Sequence, residues 1–151
     1  MIKISGNEVL VDYEFGKEYS KFLWELLDLM AKRFTIFAFN KKKSRVSYDK
    51  MEKMKIADSE IMLLQCDSYA DFIKAINELS ESLMHDFYIT INSSIKTIKP
   101  MIEENTDFDI DWYLSKFPKT IHIEEDGFKV NLDTFSNYGF QIERIVKRFN
   151  K

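Results

Sequence analysis

The sequence predicts an α+β fold in a single domain over residues 1–151, with an antiparallel or mixed sheet and helices packed mainly on one face. Two β-hairpin signals and several apolar stripes at helical spacing predict this class. A chain of 151 residues also has the usual length of one domain. Strands that alternate apolar and polar residues bury only one face, so helices are expected to cover that face.

The first hairpin signal is the pair Gly6 and Asn7, which separates two alternating runs. Glycine at the first position of a two-residue loop is typical of a type II′ turn. Such a loop places Ile4 opposite Val9, and the alternation predicts a second strand that runs to Phe15.

The second hairpin signal is the pair Asp126 and Gly127, a strong local indication of a tight turn between strands. The strands are expected over residues 120–125 and 128–133. A two-residue loop at this place implies four cross-strand pairs: Ile123 with Val130, Ile121 with Leu132, Glu124 with Lys129, and His122 with Asn131.

Apolar residues at helical spacing predict helices over residues 17–33, from the N-cap Ser68 to about Met84, and from Tyr138 to Phe149. Single strands are expected at residues 35–39, 61–66 and 87–91. Residues 93–117 are read as a helical insert: Ile95, Ile98 and Ile102 are at helical spacing, although Pro100 disfavours a helical conformation at Lys99, and residues 111–117 indicate a short helix that Pro118 ends.

The composition indicates a cytoplasmic protein from a reducing compartment. Cys66 is the only cysteine, so an intrachain disulfide cannot form. The first residues lack the basic and apolar regions of a signal peptide, and no apolar run is long enough to cross a bilayer. The formal charge of −3 argues against general binding to nucleic acid.

The usual catalytic and cofactor motifs are absent from the sequence. This absence argues against an enzyme and predicts no cofactor and no structural metal. The four glycines form neither a dinucleotide-binding nor a phosphate-binding loop, and no CxxC, HExxH or GxSxG pattern occurs. Asp107, Asp109 and Asp111 are spaced like the start of a calcium loop, but Trp112 and Pro118 stand where that loop needs Gly and Glu. A weaker role of the three aspartates in binding a divalent metal stays open.

One alternative is a small enzyme or ligand-binding domain with a pocket around Cys66, His85 and His122. Cys66 precedes a predicted helix N-terminus, which can lower the pKa of a thiol, and either histidine is a possible base. The competing interpretations are a buried, inert Cys66, a solvent-exposed His122 on the sheet and a His85 that stabilises a helix C-terminus.

Charge is segregated along the chain. Residues 41–55 carry seven basic and two acidic side chains and resemble an exposed loop. A contact of this loop with nucleic acid, as in a regulatory protein of a phage or mobile element, is the weaker alternative to a solvated loop. Residues 103–126 instead carry eight acidic and two basic side chains, together with large aromatic residues.

Acidic side chains around aromatic anchors are typical of a surface that binds a basic protein. The alternative is that the aromatic residues fill the core and the acids are merely exposed. The predicted partner-binding residues are Asp107, Phe108, Asp109, Asp111, Trp112, Tyr113, Glu124, Glu125 and Asp126.

A small, acidic, single-domain chain without catalytic motifs resembles the bacterial immunity proteins, which neutralise toxin domains. The resemblance lies in the size and character of the whole chain, and no motif carries it. It implies a non-enzymatic inhibitor that occludes the basic active site of a toxin domain, with the acidic and aromatic residues making the contact.

Overall fold

A computed structural model describes residues 2–11, 17–30, 33–40, 50–56, 59–81, 87–105, 108–124 and 127–150. Within these ranges the strands are β1 (Ile2–Ser5), β2 (Glu8–Val11), β3 (Phe34–Asn40), β4 (Glu52–Ile56), β5 (Ser59–Cys66), β6 (Phe87–Ile91), β7 (Thr120–Glu124) and β8 (Gly127–Asn131). The helices are α1 (Lys17–Met30), α2 (Tyr69–Glu81), α3 (Ile95–Glu104), α4 (Ile110–Lys116) and α5 (Gly139–Phe149), with a 3-10 turn at Ser136–Tyr138. The α+β class is confirmed.

The eight described strands form one open sheet in the order β1-β2-β8-β7-β6-β3-β5-β4. Each neighbouring pair is antiparallel, so the sheet is antiparallel rather than mixed. The central strands are β7, β6 and β3, which join parts of the chain that are distant in sequence.

The first hairpin has the predicted register, with Ile4 opposite Val9 and Ile2 opposite Val11. Gly6 has φ 60°, whereas Asn7 is not among the described residues with positive φ. A positive φ at the first loop position alone is the signature of the type II′ turn. The predicted continuation of this strand to Phe15 lies outside the described residues beyond Val11.

The predicted register of the second hairpin is wrong. Ile123 pairs with Phe128 and not with Val130, and Glu124 pairs with Gly127 and not with Lys129. The predicted pairings of His122 with Asn131 and of Ile121 with Leu132 are therefore also wrong. Gly127 is the first residue of β8 and has φ 141°, a conformation that residues with a side chain rarely adopt. The glycine is therefore required at the start of the strand and is not part of a two-residue loop. The shift equals two residues, so the apolar face is kept.

The prediction of an exposed loop over residues 41–55 is wrong for its last part. Residues 41–49 lie outside the described residues, but Glu52–Ile56 forms β4 and pairs with β5. Met54 packs into the core, while Lys53 and Lys55 are exposed. Lysines on an edge strand discourage pairing with other chains.

Two hydrophobic cores lie on the two faces of the sheet. The larger core lies under α1, α2 and α5 and includes Phe22, Phe72 and Ile142. The smaller core lies between α3, α4 and strands β3 and β5, and it includes Phe37 and Tyr113. Three helices thus cover one face, as predicted, and two shorter helices cover part of the other.

Helix α3 continues through Pro100, although proline disfavours a helical conformation at Lys99. An interior proline costs about 3 kcal/mol. Ile98 and Ile102 are completely buried. Burial of each side chain stabilises the fold by about 1.5–3 kcal/mol, which offsets that cost.

Candidate protein-binding surface

The acidic residues of the 108–113 segment are positioned by the start of α4. Asp109 is the N-cap, and its Oδ1 accepts hydrogen bonds from the backbone N–H of Asp111 at 2.9 Å and of Trp112 at 3.4 Å. Capping orders the Asp109 carboxylate without burying it, and both aspartates are exposed. The turn therefore presents two carboxylates to solvent.

The aromatic residues of the same segment are divided between core and surface. Tyr113 is fully buried and stacks on Phe37 with ring centroids 4.6 Å apart. Phe108 and Trp112 are half-buried, and Phe108 stacks on Phe39 at 5.4 Å. Tyr113 therefore belongs to the smaller core, whereas Phe108 and Trp112 each keep one part accessible.

Phe108 borders a small pocket where α4 meets the sheet. The pocket has a volume of about 270 Å³ and is lined by Phe39, Tyr88, Phe108 and Ile110. Each of the four side chains is half-buried. Half-buried aromatic groups around an accessible concavity are typical of the centre of a binding surface.

The second predicted segment reaches this pocket through Tyr88. His122 lies directly opposite Tyr88 on the neighbouring strand, and the two rings stack with centroids 4.3 Å apart. Glu124 Oε1 is 3.5 Å from His122 Nδ1, and both side chains are partly exposed. A separate depression of about 330 Å³ is lined by His122 and Glu124 together with Leu10 and Lys129.

Two distant segments thus bring carboxylates to the same face of the sheet: Asp109 is next to two pocket residues in the chain, and Glu124 is connected to Tyr88 through His122. The aromatic–acidic surface is defined here as the pocket residues and their polar neighbours: Phe39, Tyr88, Phe108, Asp109, Ile110, Asp111, Trp112, His122 and Glu124. Asp107, Glu125 and Asp126 lie outside the described residues. Phe39, Tyr88 and Ile110 were not among the sequence-predicted binding residues.

Cys66 and His122 are not brought together. Cys66 pairs with Phe34 on the face covered by α1 and α2, whereas His122 pairs with Tyr88 on the opposite face. Cys66 is fully buried. Burial, followed by the nearby Asp71 and Asp67, raises the pKa of the Cys66 thiol to about 12. A protonated, inaccessible thiol is a poor nucleophile. His85 lies outside the described residues.

Metal binding finds no support in the described part of the chain. No three His, Cys, Asp or Glu side chains within it are grouped so that they hold a metal ion. Asp109 uses one carboxylate oxygen to cap α4.

A basic groove lies on the other face of the sheet, between α1 and α5. It has a volume of about 580 Å³, a floor that includes Leu29 and Ile145, and three cationic side chains, Arg144, Lys147 and Arg148. Arg148 forms an ion pair with Glu25. Positive charge on α5 and negative charge on α4 are therefore separated by the sheet.

None of the described helices is both long and apolar enough to cross a membrane. No protein-family model, curated protein or solved structure matches this chain.

Proposed function

We propose that this protein is a non-enzymatic binding protein that inhibits a basic protein partner by covering its functional site with the aromatic–acidic surface. The observation that carries the proposal is the apolar pocket of Phe39, Tyr88, Phe108 and Ile110, with the exposed carboxylate of Asp109 between two of its lining residues in the chain. Aromatic side chains supply the buried area of a complex, whereas carboxylates at the rim speed the encounter and reject acidic competitors.

The state of Cys66 supports binding over catalysis. A nucleophile needs access and a lowered pKa, and Cys66 has neither. A basic active site that normally binds nucleic acid is a suitable target, because its cationic groups complement Asp109, Asp111 and Glu124. In its finer form, the proposal is that the chain acts as an immunity protein against a toxin domain.

The test is capture of a partner by the tagged protein from a lysate of the organism that encodes it, with washes at low and high salt. Bound proteins are identified by mass spectrometry. We expect one basic protein at stoichiometric yield, with weaker retention at high salt because exposed charges are screened. Retention of acidic proteins only, or of no protein, contradicts the proposal.

Matched charge reversals connect the captured partner to the surface. Asp111→Lys combined with Glu124→Lys reverses two charges without removing the Asp109 cap. We expect this variant to lose the partner. Asp28→Lys combined with Glu143→Lys is the control, because it changes the net charge equally and both acids are exposed on helices of the other face of the sheet, α1 and α5. Equal retention by both variants removes the aromatic–acidic surface from the proposal.

A further inference from the structure

We propose that the pocket of Phe39, Tyr88, Phe108 and Ile110 accepts the guanidinium group of an arginine on the partner. This inference rests on the proposed function and names the chemical group that the surface recognises. Three of the four lining side chains are aromatic, and none of the four carries a charge. The pocket itself thus provides ring surface, and the charge lies just outside it.

The aromatic lining favours a cation over a neutral group of the same shape. A cation within about 6 Å of a ring centroid is attracted by the negative face of the ring. Several rings around one pocket add their attractions, as in the aromatic sites that bind quaternary ammonium groups. Phe108 packs on a second lining ring, Phe39, with centroids 5.4 Å apart.

Asp109 adds a fixed negative charge beside the pocket. It lies between Phe108 and Ile110 in the chain, and both of these residues line the pocket. Its side chain accepts hydrogen bonds from two backbone N–H groups at the start of α4. Those N–H groups would otherwise repel a cation, so the cap removes an unfavourable interaction and supplies a favourable one.

Arginine fits this combination better than lysine. The guanidinium group is planar, stacks on aromatic rings and is weakly hydrated, whereas an ammonium group is compact and strongly hydrated. The planar group also keeps N–H donors at its edge while its face lies on a ring, and these donors suit a carboxylate such as Asp109. Arginine is also enriched among the residues that dominate binding energies.

Small probes test the pocket without a partner protein. The probes are n-butylguanidinium, its neutral analogue n-butylurea and n-butylammonium, each titrated into the full chain with 13C-labelled isoleucine methyl groups. We expect n-butylguanidinium to move the Ile110 methyl signal in a saturable manner and to bind about fivefold more tightly than n-butylurea. It is also expected to bind about twofold more tightly than n-butylammonium, and tighter binding of n-butylammonium overturns the choice of arginine. Equal affinity for n-butylurea, or no saturable shift at Ile110, overturns the proposal.

Conservative variants connect this binding to named groups. Phe108→Leu keeps an apolar side chain, and Asp109→Asn keeps a capping residue without its charge. We expect each variant to bind n-butylguanidinium about threefold more weakly, and Asp109→Asn to bind n-butylurea unchanged. The control Asp28→Asn is expected to bind both probes as the unmodified protein does. Unchanged guanidinium affinity in both pocket variants, with an intact methyl spectrum, contradicts the proposal.

The outcomes separate this inference from the proposed function. If n-butylguanidinium does not bind but capture of a basic partner depends on Asp111 and Glu124, only the arginine site is overturned. If n-butylguanidinium binds at Ile110 but no basic partner is captured, the arginine site is supported and the proposed function is overturned.

Discussion

The hydroxyl groups of Tyr113 and Thr90 are hydrogen bonded in the core between α4 and the sheet. Thr90 Oγ1 is also 3.3 Å from Thr120 Oγ1, and Thr120 donates to the carbonyl of Phe117. The single hydroxyl proton of Thr120 is donated to the Phe117 carbonyl, so Thr120 accepts a hydrogen bond from Thr90. Thr90 has then donated its own proton, so Tyr113 is the donor in its bond with Thr90. This chain of hydroxyls connects α4 to β6 and β7, and it holds the segment that carries Asp109 against the sheet.

Removal of one hydroxyl from this chain is expected to destabilise the fold. Tyr113→Phe leaves Thr90 without its donor in a buried site, which costs about 1–3 kcal/mol. Tyr69→Phe is the matched control, since Tyr69 is exposed on α2, and a change below about 0.5 kcal/mol is expected there. Urea unfolding measures both values. Equal stability of the two variants would show that the Tyr113 hydroxyl contributes nothing.

A double-mutant cycle tests whether the two hydroxyls act together. Thr90→Val removes the acceptor, and the combined variant removes both partners of the bond. We expect the double variant to lose less stability than the sum of the single variants, because replacement of both partners leaves fewer unsatisfied groups. Additive losses would contradict a direct bond between Tyr113 and Thr90.

Cys66 is expected to be chemically inert in the folded protein. The thiol is buried, and its pKa is raised to about 12, so at pH 8 it stays protonated and inaccessible. A disulfide-exchange reagent is expected to leave native Cys66 unmodified during the time in which the urea-unfolded chain reacts completely. Rapid stoichiometric labelling without urea would reopen the interpretation of Cys66 as a nucleophile.

The same thiol makes stability depend on alkaline pH. An acid whose pKa is raised by folding stabilises the fold fully below its unfolded pKa and loses this contribution as pH rises towards the folded value. For Cys66 the loss extends from about pH 9 to about pH 12, and at pH 10 it amounts to about 1 kcal/mol. Burial also raises the pKa of Tyr113, which acts in the same direction at higher pH.

The difference between the unmodified protein and Cys66→Ala isolates this contribution. Unfolding free energies are measured by urea at pH 7.5 and pH 10 for both proteins. We expect a smaller decrease in Cys66→Ala, whatever its stability at pH 7.5, because the alanine has no proton to lose. Identical decreases would show that folding leaves the ionisation of Cys66 unchanged.

Local signals in the sequence predicted local structure well. The Gly6-Asn7 pair predicted the register of the first hairpin, and Ser68 predicted the start of α2, where its hydroxyl is 3.2 Å from the backbone nitrogen of Asp71. In each case the turn or cap residue contacts a neighbour within a few positions, so the pattern contains the geometry. The register predicted from Gly127 for the second hairpin was wrong because glycine suits both a turn and a distorted strand end, and the sequence does not distinguish these roles.

The pocket depends on pairing between distant strands, which local patterns do not contain. Phe37 lies opposite Tyr88 because β3 pairs with β6, and Phe39 is two residues further along the same face. Phe108 reaches these residues only because α4 packs on that part of the sheet. Periodicity assigned the strands, but neither their order nor their mutual register follows from it.

Asp109 combines a structural and a binding role, and two substitutions separate them. Asp109→Ala removes the cap and the charge, and it is expected to destabilise the protein by about 1 kcal/mol in urea unfolding. Asp109→Asn retains a capping side chain, so its free energy of unfolding is expected to fall by only about 0.3 kcal/mol. Asp111→Ala is the comparison for loss of a first-turn carboxylate that accepts no capping bond, and about 0.5 kcal/mol is expected.

Binding is expected to rank these variants differently. Capture of a basic partner depends on charge, so Asp109→Asn and Asp109→Ala should weaken it to a similar degree despite their different stabilities. Asp111→Ala should also weaken capture, because Asp111 is exposed in the same helical turn. If Asp109→Asn captures the partner as the unmodified protein does while Asp109→Ala fails, the cap is the important feature, and the Asp109 charge has no part in recognition.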